Sequence, residues 1–329
     1  MTNSNGNASK ENGHSPTKAA FLPGDVVANR YRIDRLIGSG GTGEVYEAFD
    51  TGLGEPVALK TLKPSVAGDA VQLERFRREI QSARKVTHAN ICRIFDMGLH
   101  TSGGRERFFL TMELLSGESL AQRLETGTAF APNEALPIIE QIAEGLDAAH
   151  RAGVIHRDLK PANVMLLAPT DGQAAPRTVI TDFGIALSDE QGEIRLTQSG
   201  ELVGTPEYMA PEQGDLGPAG PTTDVYALGL IIYEMLSKHR PFSSAATPME
   251  TVLMRRRQPP RPLHDVMPGI DPVWETAIHR CLEREPARRF QSAGAVVGAL
   301  RGDAPDPSST SSSSRSDRSF LDRFTRKRR

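Results

Sequence analysis

The sequence predicts an α+β protein of two lobes, a small β-rich one carrying a single main helix and a larger one that is mainly helical. Three observations carry that expectation. Residues 31–62 run in short apolar–polar alternations around a Gly-rich turn, the period-2 signature of strands. Beyond residue 115 the apolar residues recur at helical spacing instead. At ~150 residues per domain, the 329 residues, 38% hydrophobic and 24% charged, suffice for a core that needs no disulfide or metal staple.

In chain order, residues 1–24 are polar and aperiodic and read as a disordered arm, because they bury too little apolar surface to offset the entropy of ordering them. The folded region is expected over 25–301, with the small lobe at about 31–112, a hinge at 113–117 and the large lobe at 118–301. Strands are expected at 31–34, 45–48, 57–60, 91–95 and 107–113, and Phe76, Ile80 and Ala83 space out a helix within 71–85. In the larger lobe Ala135, Ile139, Ile142, Leu146 and Ala149 make a broad apolar helical face that stops at Gly153. Residues 222–236 are apolar nearly all round, as in a helix buried within a lobe. Residues 302–329 form a Ser-rich and then basic tail, expected to be disordered. Its end sets Phe320, Leu321 and Phe324 among basic residues, a composition suited to docking on a membrane surface or a partner. Eleven residues are too few for a stable helix, which favours a plain solvated tail.

Composition also narrows function. Lys+Arg at 39 against Asp+Glu at 41 gives a net charge of −2, too balanced to hold nucleic acid by bulk electrostatics. Cys92 and Cys281 lie far apart in apolar surroundings without a C-x-x-C pair, so they read as buried hydrophobes of a reducing compartment, not as a disulfide or zinc site. No secretory signal opens the chain, and the longest apolar run, 225–233, is far short of the ~20 residues that span a bilayer. A cytoplasmic protein without a transmembrane segment is the expectation.

The chemistry-bearing residues begin with Gly38-Ser39-Gly40-Gly41-Thr42-Gly43, a G-x-G-x-x-G pattern shared by dinucleotide sites and, on its own, by ordinary Gly-rich hairpins. A dinucleotide fingerprint opens a helix. These glycines instead sit between two strand patterns and lead into Glu44-Val45-Tyr46, as in a flap whose backbone N–H groups reach phosphate oxygens with no Cβ in the way. Lys60 ends the strand at 57–60 and shares a face with Ala58, a small residue leaving room for a flat ring beside an ammonium. Glu79 lies on the inward face of the next helix, where a carboxylate needs a partner, and Lys60 is the expected one. His156-Arg157-Asp158-Leu159-Lys160-Pro161-Ala162-Asn163, Asp182-Phe183-Gly184 and Ala210-Pro211-Glu212 follow.

Glycine flap, lysine, glutamate, H-R-D-x-x-x-x-N, D-F-G and A-P-E, in that order, resemble the eukaryotic-type (Hanks-type) serine/threonine protein kinases, in the style of the bacterial members. The resemblance covers about 25–301 and implies the bilobal protein kinase fold, with ATP and Mg²⁺ as cofactors. By resemblance, Ile37, the six flap residues, Glu44 and Val45 would cover the nucleotide. Lys60, fixed by Glu79, would hold its α- and β-phosphates. Ala58 and the backbone at Glu113 and Leu115 would frame the adenine, and Met112 would limit the depth of its pocket. Asn163 and Asp182 would hold metal, hard oxygen donors suiting Mg²⁺. Asp158 would orient the acceptor hydroxyl or take its proton, and Lys160 would steady the moving phosphoryl group. Lys160 together with Thr205 implies a non-specific serine/threonine protein kinase acting on protein hydroxyls, its own included.

The resemblance also implies supporting roles. Glu212 would pair with Arg289, Asp224 would cap the buried helix while bonding to backbone near His156, and His156 and Phe183 would pack in the core. Arg157 would meet a phosphorylated residue of the activation segment, with Thr197 and Ser199 as regulatory phosphosites and Thr205 as a structural hydroxyl. Two other classes share the pattern in part. A pseudokinase scaffold is marked by loss of the lysine or an aspartate, and none is lost here. Small-molecule phosphotransferases of the aminoglycoside-kinase type generally lack the A-P-E segment.

Overall fold

Alternating strands have two faces to bury, and in the small lobe of this computed structural model both find a cover. Strands β1 (Val26–Val27), β2 (Tyr31–Gly40), β3 (Gly43–Asp50), β4 (Glu55–Thr61), β5 (Ile94–Ser102) and β6 (Arg105–Met112) pair antiparallel in the order β1-β2-β3-β4-β6-β5. One face sends Ile33, Tyr46, Val57, Leu59 and Phe109 into a cluster closed by Phe21. The other sends Phe108 and Leu110 against Phe76 and Ile80 of helix α1 (Ala70–Ala83). Each Leu, Ile or Phe fully buried this way contributes roughly 1.5–3 kcal/mol, enough for a few such residues to orient the helix across the sheet.

The structure describes residues 19–40, 43–62, 70–169, 175–183, 206–214, 217–242 and 248–303. The flap tip (Gly41, Thr42), Gly184, Thr197, Ser199, Thr205 and the basic tail lie outside the described residues. Two expectations change in the small lobe. The strand expected at 91–95 begins at Ile94 and runs on to Ser102; it is the half-exposed edge of the sheet, so its apolar alternation is weak. Gly103 and Gly104, both at positive φ (57° and 74°), make the two-residue turn into β6. The arm expected over 1–24 is interrupted at Phe21, which is 5% exposed with its ring edge-on to Tyr46 and His100. One aromatic supplies the apolar area that its polar neighbours lack.

The larger lobe holds α2 (Leu120–Thr126), α3 (Pro132–Arg151), α4 (Pro221–Ser237), α5 (Pro248–Arg257), α6 (Pro272–Cys281) and α7 (Ala293–Arg301). A small antiparallel sheet, β7 (Gly117–Ser119), β8 (Val164–Leu167) and β9 (Arg177–Ile180), faces the first lobe. Helix α3 starts where Pro132 presets the first turn and Glu134 accepts the Ala131 N–H (3.0 Å). It buries the stripe Ile138, Ile139, Ile142 and Leu146 in a core shared with α4, whose residues 223–236 are buried except Glu234. Asp224 does not cap α4. That end is closed by Thr223 Oγ1, which accepts the Gly220 N–H (3.1 Å); Asp224 lies one residue deeper, 1% exposed, and reaches the loop after α3. Both cysteines are free and buried, and burial pushes each thiol up to about 12. Among the described residues no helix is long and apolar enough to cross a membrane.

Candidate active site

The site forms where the inner face of the first sheet meets β8 and β9. Register places Gly38 opposite Val45, Ser39 opposite Glu44 and Gly40 opposite Gly43, so the glycine motif is the β2–β3 hairpin that its flanking patterns suggest. Gly43 sits at φ 141°, and a Cβ there would collide with the carbonyl of Thr61, next to Lys60. A glycine lets the flap strand lie that close to β4.

Ala58, Cys92, Met112 and Val179 form a buried apolar cluster against which Val45, Leu115, Met165 and Leu167 pack. This cluster joins the two lobes, with Ala58 on the sheet side paired to Met112 across β4 and β6. The peptide at Glu113 is engaged on both sides: its N–H donates to Arg93 O (2.9 Å) and its carbonyl accepts from the Cys92 thiol (Sγ to O 3.8 Å). The Glu113 side chain is held by Arg177 Nη1 (3.3 Å), whose guanidinium also donates to Ala89 O, so the hinge is pinned to β9.

Lys60 shares the inner face with Ala58, but its partner is not the expected Glu79. Its Nζ lies 2.8 Å from Asp182 Oδ1, with the lysine side chain only 2% exposed. Glu79 Oε1 instead accepts from Arg157 Nη1 at 2.9 Å. Period and spacing show which face each residue occupies; they do not rank two carboxylates competing for one ammonium, or two cations for one glutamate.

Asp158 is held by its neighbours. Lys160 Nζ lies 2.7 Å from its Oδ2, and Asn163 Nδ2 donates to its carbonyl oxygen (2.8 Å) and to Oδ2 (3.4 Å). The Thr181 N–H donates to Asn163 O (2.9 Å), which sets Asp182 beside Asn163. Arg157 and Asp182 both adopt left-handed backbone, φ 66° and 63°, a conformation that L side chains resist. At Arg157, Asp224 offsets that strain by accepting the N–H groups of His156 and Arg157, each at 2.9 Å, and Gln213 Nε2 donates to Arg157 O (2.8 Å). His156 packs on Phe183 with ring centroids 4.6 Å apart. Glu212 makes a bidentate pair with Arg289 (2.8 and 2.7 Å). Burial pushes the Glu212 carboxyl up, yet the Arg289 hydrogen bonds and charge outweigh it and hold it below the ordinary carboxylate value.

Compared with profiles of known families, residues 31–297 match the one described as "Protein kinase domain". The chain belongs to the protein kinase family. It is 39% identical over 279 residues to serine/threonine-protein kinase PknA of Mycobacterium tuberculosis, an alignment covering 84% of this chain and 62% of that one. It is 34% identical to the probable serine/threonine-protein kinase PknB of Corynebacterium glutamicum, covering 84% and 42%. This protein kinase domain thus spans less than two thirds of the length of those relatives. The crystal structure of the Mycobacterium tuberculosis PknI kinase domain superposes with a TM-score of 0.67 at 28% identity, covering 87% of this chain and all of that one.

Four contributors to the kinase site escaped the sequence reading: Met165, Leu167, Val179 and Gln213. Met165 and Leu167 were legible, because alternation in β8 sends Val164 and Leu166 to the large-lobe core and the alternate pair to the cluster between the lobes. Gln213 had no such signal, since its contact with Arg157 spans 56 positions.

Proposed function

We propose that the chain is a serine/threonine protein kinase that moves the γ-phosphoryl group of Mg-ATP to Ser or Thr hydroxyls of proteins, itself included. One observation carries the reading: Lys60 pairs with Asp182, Asn163 bonds to Asp158, and the Thr181 N–H on Asn163 O draws the two pairs together. The residues fit the cofactors. The surroundings of Ala58, Val45, Met112 and Met165 are apolar, as a purine requires, and the Glu113 carbonyl, which takes one weak bond from the Cys92 thiol, keeps a second lone pair for it. Asn163 gives its Nδ2 to Asp158, which leaves its Oδ1, with the Asp182 carboxylate, as a pair of hard oxygen donors. Bound there, Mg²⁺ would neutralise charge between the β- and γ-phosphates.

The chain's own residues supply the rest. The Lys60 ammonium, desolvated beside Asp182, stands ready for phosphate oxygens without reorganising water. Asp158 orients the acceptor hydroxyl and takes its proton late; an ordinary carboxylate is a weak base for an alcohol, so positioning carries most of its effect. Lys160, already on Asp158, supplies positive charge where the phosphoryl group passes. Phosphorylation at Thr197 or Ser199 is the proposed activating event: a dianionic phosphate competes with Glu79 for Arg157 and frees that glutamate for Lys60. Incubation with Mg-ATP and a mixed protein substrate, followed by phosphosite mapping, tests the reading. Labelled Ser and Thr are expected with wild type and none with Lys60→Met; equal labelling in both, or label on small metabolites alone, would overturn it.

A further inference from the structure

The glycine flap is anchored from outside by a segment that no kinase motif includes. In residues 19–24, the Ala20 N–H donates to Glu44 Oε2 (2.8 Å) and the Phe21 N–H to the Tyr46 hydroxyl (3.1 Å), while that hydroxyl donates to the same Glu44 oxygen. The Glu44 N–H in turn donates to Thr61 Oγ1 (3.1 Å), so this flap residue is fixed through both side chain and backbone. The segment also grips the other flap strand: Gly24 N–H donates to Ile33 O and Ile33 N–H to Asp25 O, both at 2.8 Å. Phe21 is the anchor, its ring 5.7 Å from Tyr46 and 5.4 Å from His100 and buried in the outer cluster of the sheet. Burial, and then the bond to Glu44, push the Tyr46 phenol up to about 12, so it remains a donor at any physiological pH.

We propose that residues 19–24 are a strap that holds the nucleotide flap in register for ATP, with Phe21 and Tyr46 as positioning residues acting through Glu44. The inference rests on the nucleotide reading above. A flap with four glycines loses much conformational entropy when it closes on phosphate. Fixing Glu44, two residues from the flap tip, removes part of that loss in advance, which raises affinity without adding a contact to the ligand.

The test uses full-length wild type, Phe21→Ala and Tyr46→Phe. Amide hydrogen exchange is measured without nucleotide, and the Kd of a non-hydrolysable ATP analogue with Mg²⁺ is measured beside it. Phe21→Ala frees the strap, whereas Tyr46→Phe keeps the ring and therefore the core packing while deleting the hydroxyl. Both variants are expected to exchange faster at residues 36–45 and to bind the analogue about fivefold more weakly, the factor for losing one ordinary hydrogen bond. Unchanged exchange and Kd in Tyr46→Phe would overturn the strap, even if Phe21→Ala is impaired. Failure of the wild type to bind the analogue would instead overturn the nucleotide reading, and no variant is needed to see it.

Discussion

Two residues at the centre of the site, Arg157 and Asp182, hold a backbone conformation that costs on the order of 1–3 kcal/mol each, and neither is glycine. At Arg157 that cost persists because Asp224 and Gln213 hold the peptides on either side of it. Each side chain then has a narrow task. Asp158→Asn keeps the shape and the bond from Asn163 to the backbone, so nucleotide affinity is expected to survive while phosphoryl transfer falls by about 10²–10⁴, read by steady-state kinetics beside analogue binding. Cys92 belongs to the apolar cluster between the lobes, and its thiol is pushed up to about 12 by burial, which keeps it from forming the thiolate. Iodoacetamide at pH 8 is expected to leave Cys92 and Cys281 unlabelled in the native protein and to label both after denaturation, as peptide mass spectrometry would show.

At the scale of elements, the pair between Glu212, just before α4, and the fully buried Arg289, just before α7, ties the end of the activation segment to the helical core. Removing one partner leaves the other charge buried without compensation, so Arg289→Ala is expected to cost about 3 kcal/mol in urea unfolding at pH 7. The pH dependence follows from the lowered Glu212 carboxyl. Its stabilisation is fully present above the ordinary value of 4.5 and is lost as pH falls through the lower folded value. The gap in stability between wild type and Arg289→Ala is therefore expected to narrow below pH 4.5; a gap constant down to pH 3 would show that the loss comes from the other Arg289 contacts and not from the charge on Glu212. Legibility also differs by element. Helices α3 and α4 were plain from their apolar faces, whereas β5 lies at a half-exposed edge where pattern is weak.

At the scale of the whole molecule, the ion pairs Lys60–Asp182 and Glu79–Arg157, among the described residues, each link the first sheet or α1 to the loops around β8 and β9. A ligand that bridges the lobes stabilises them by mass action, about 2.7 kcal/mol at a hundredfold excess over Kd. Mg²⁺ with an ATP analogue is therefore expected to raise the melting temperature of wild type and to raise that of Lys60→Met much less, measured by calorimetry. The Glu79–Arg157 pair makes the proposed activation a competition for one guanidinium. Preincubation with Mg-ATP is expected to raise the activity of wild type and to leave a Thr197→Ala/Ser199→Ala double variant at its basal rate. Equal stimulation of both proteins would exclude those two residues as the activating sites.

Motif order and strand or helix period were enough to assign the protein kinase family, the flap hairpin and the face shared by Ala58 and Lys60, because these depend on neighbours within a few positions along the chain. Only the tertiary structure decided that Lys60 takes Asp182, that Glu79 takes Arg157, and that Phe21 belongs to the sheet. Those partners come from segments 25 to 122 positions apart in sequence, and which charge or ring meets which is settled by packing and desolvation after the chain has closed on itself.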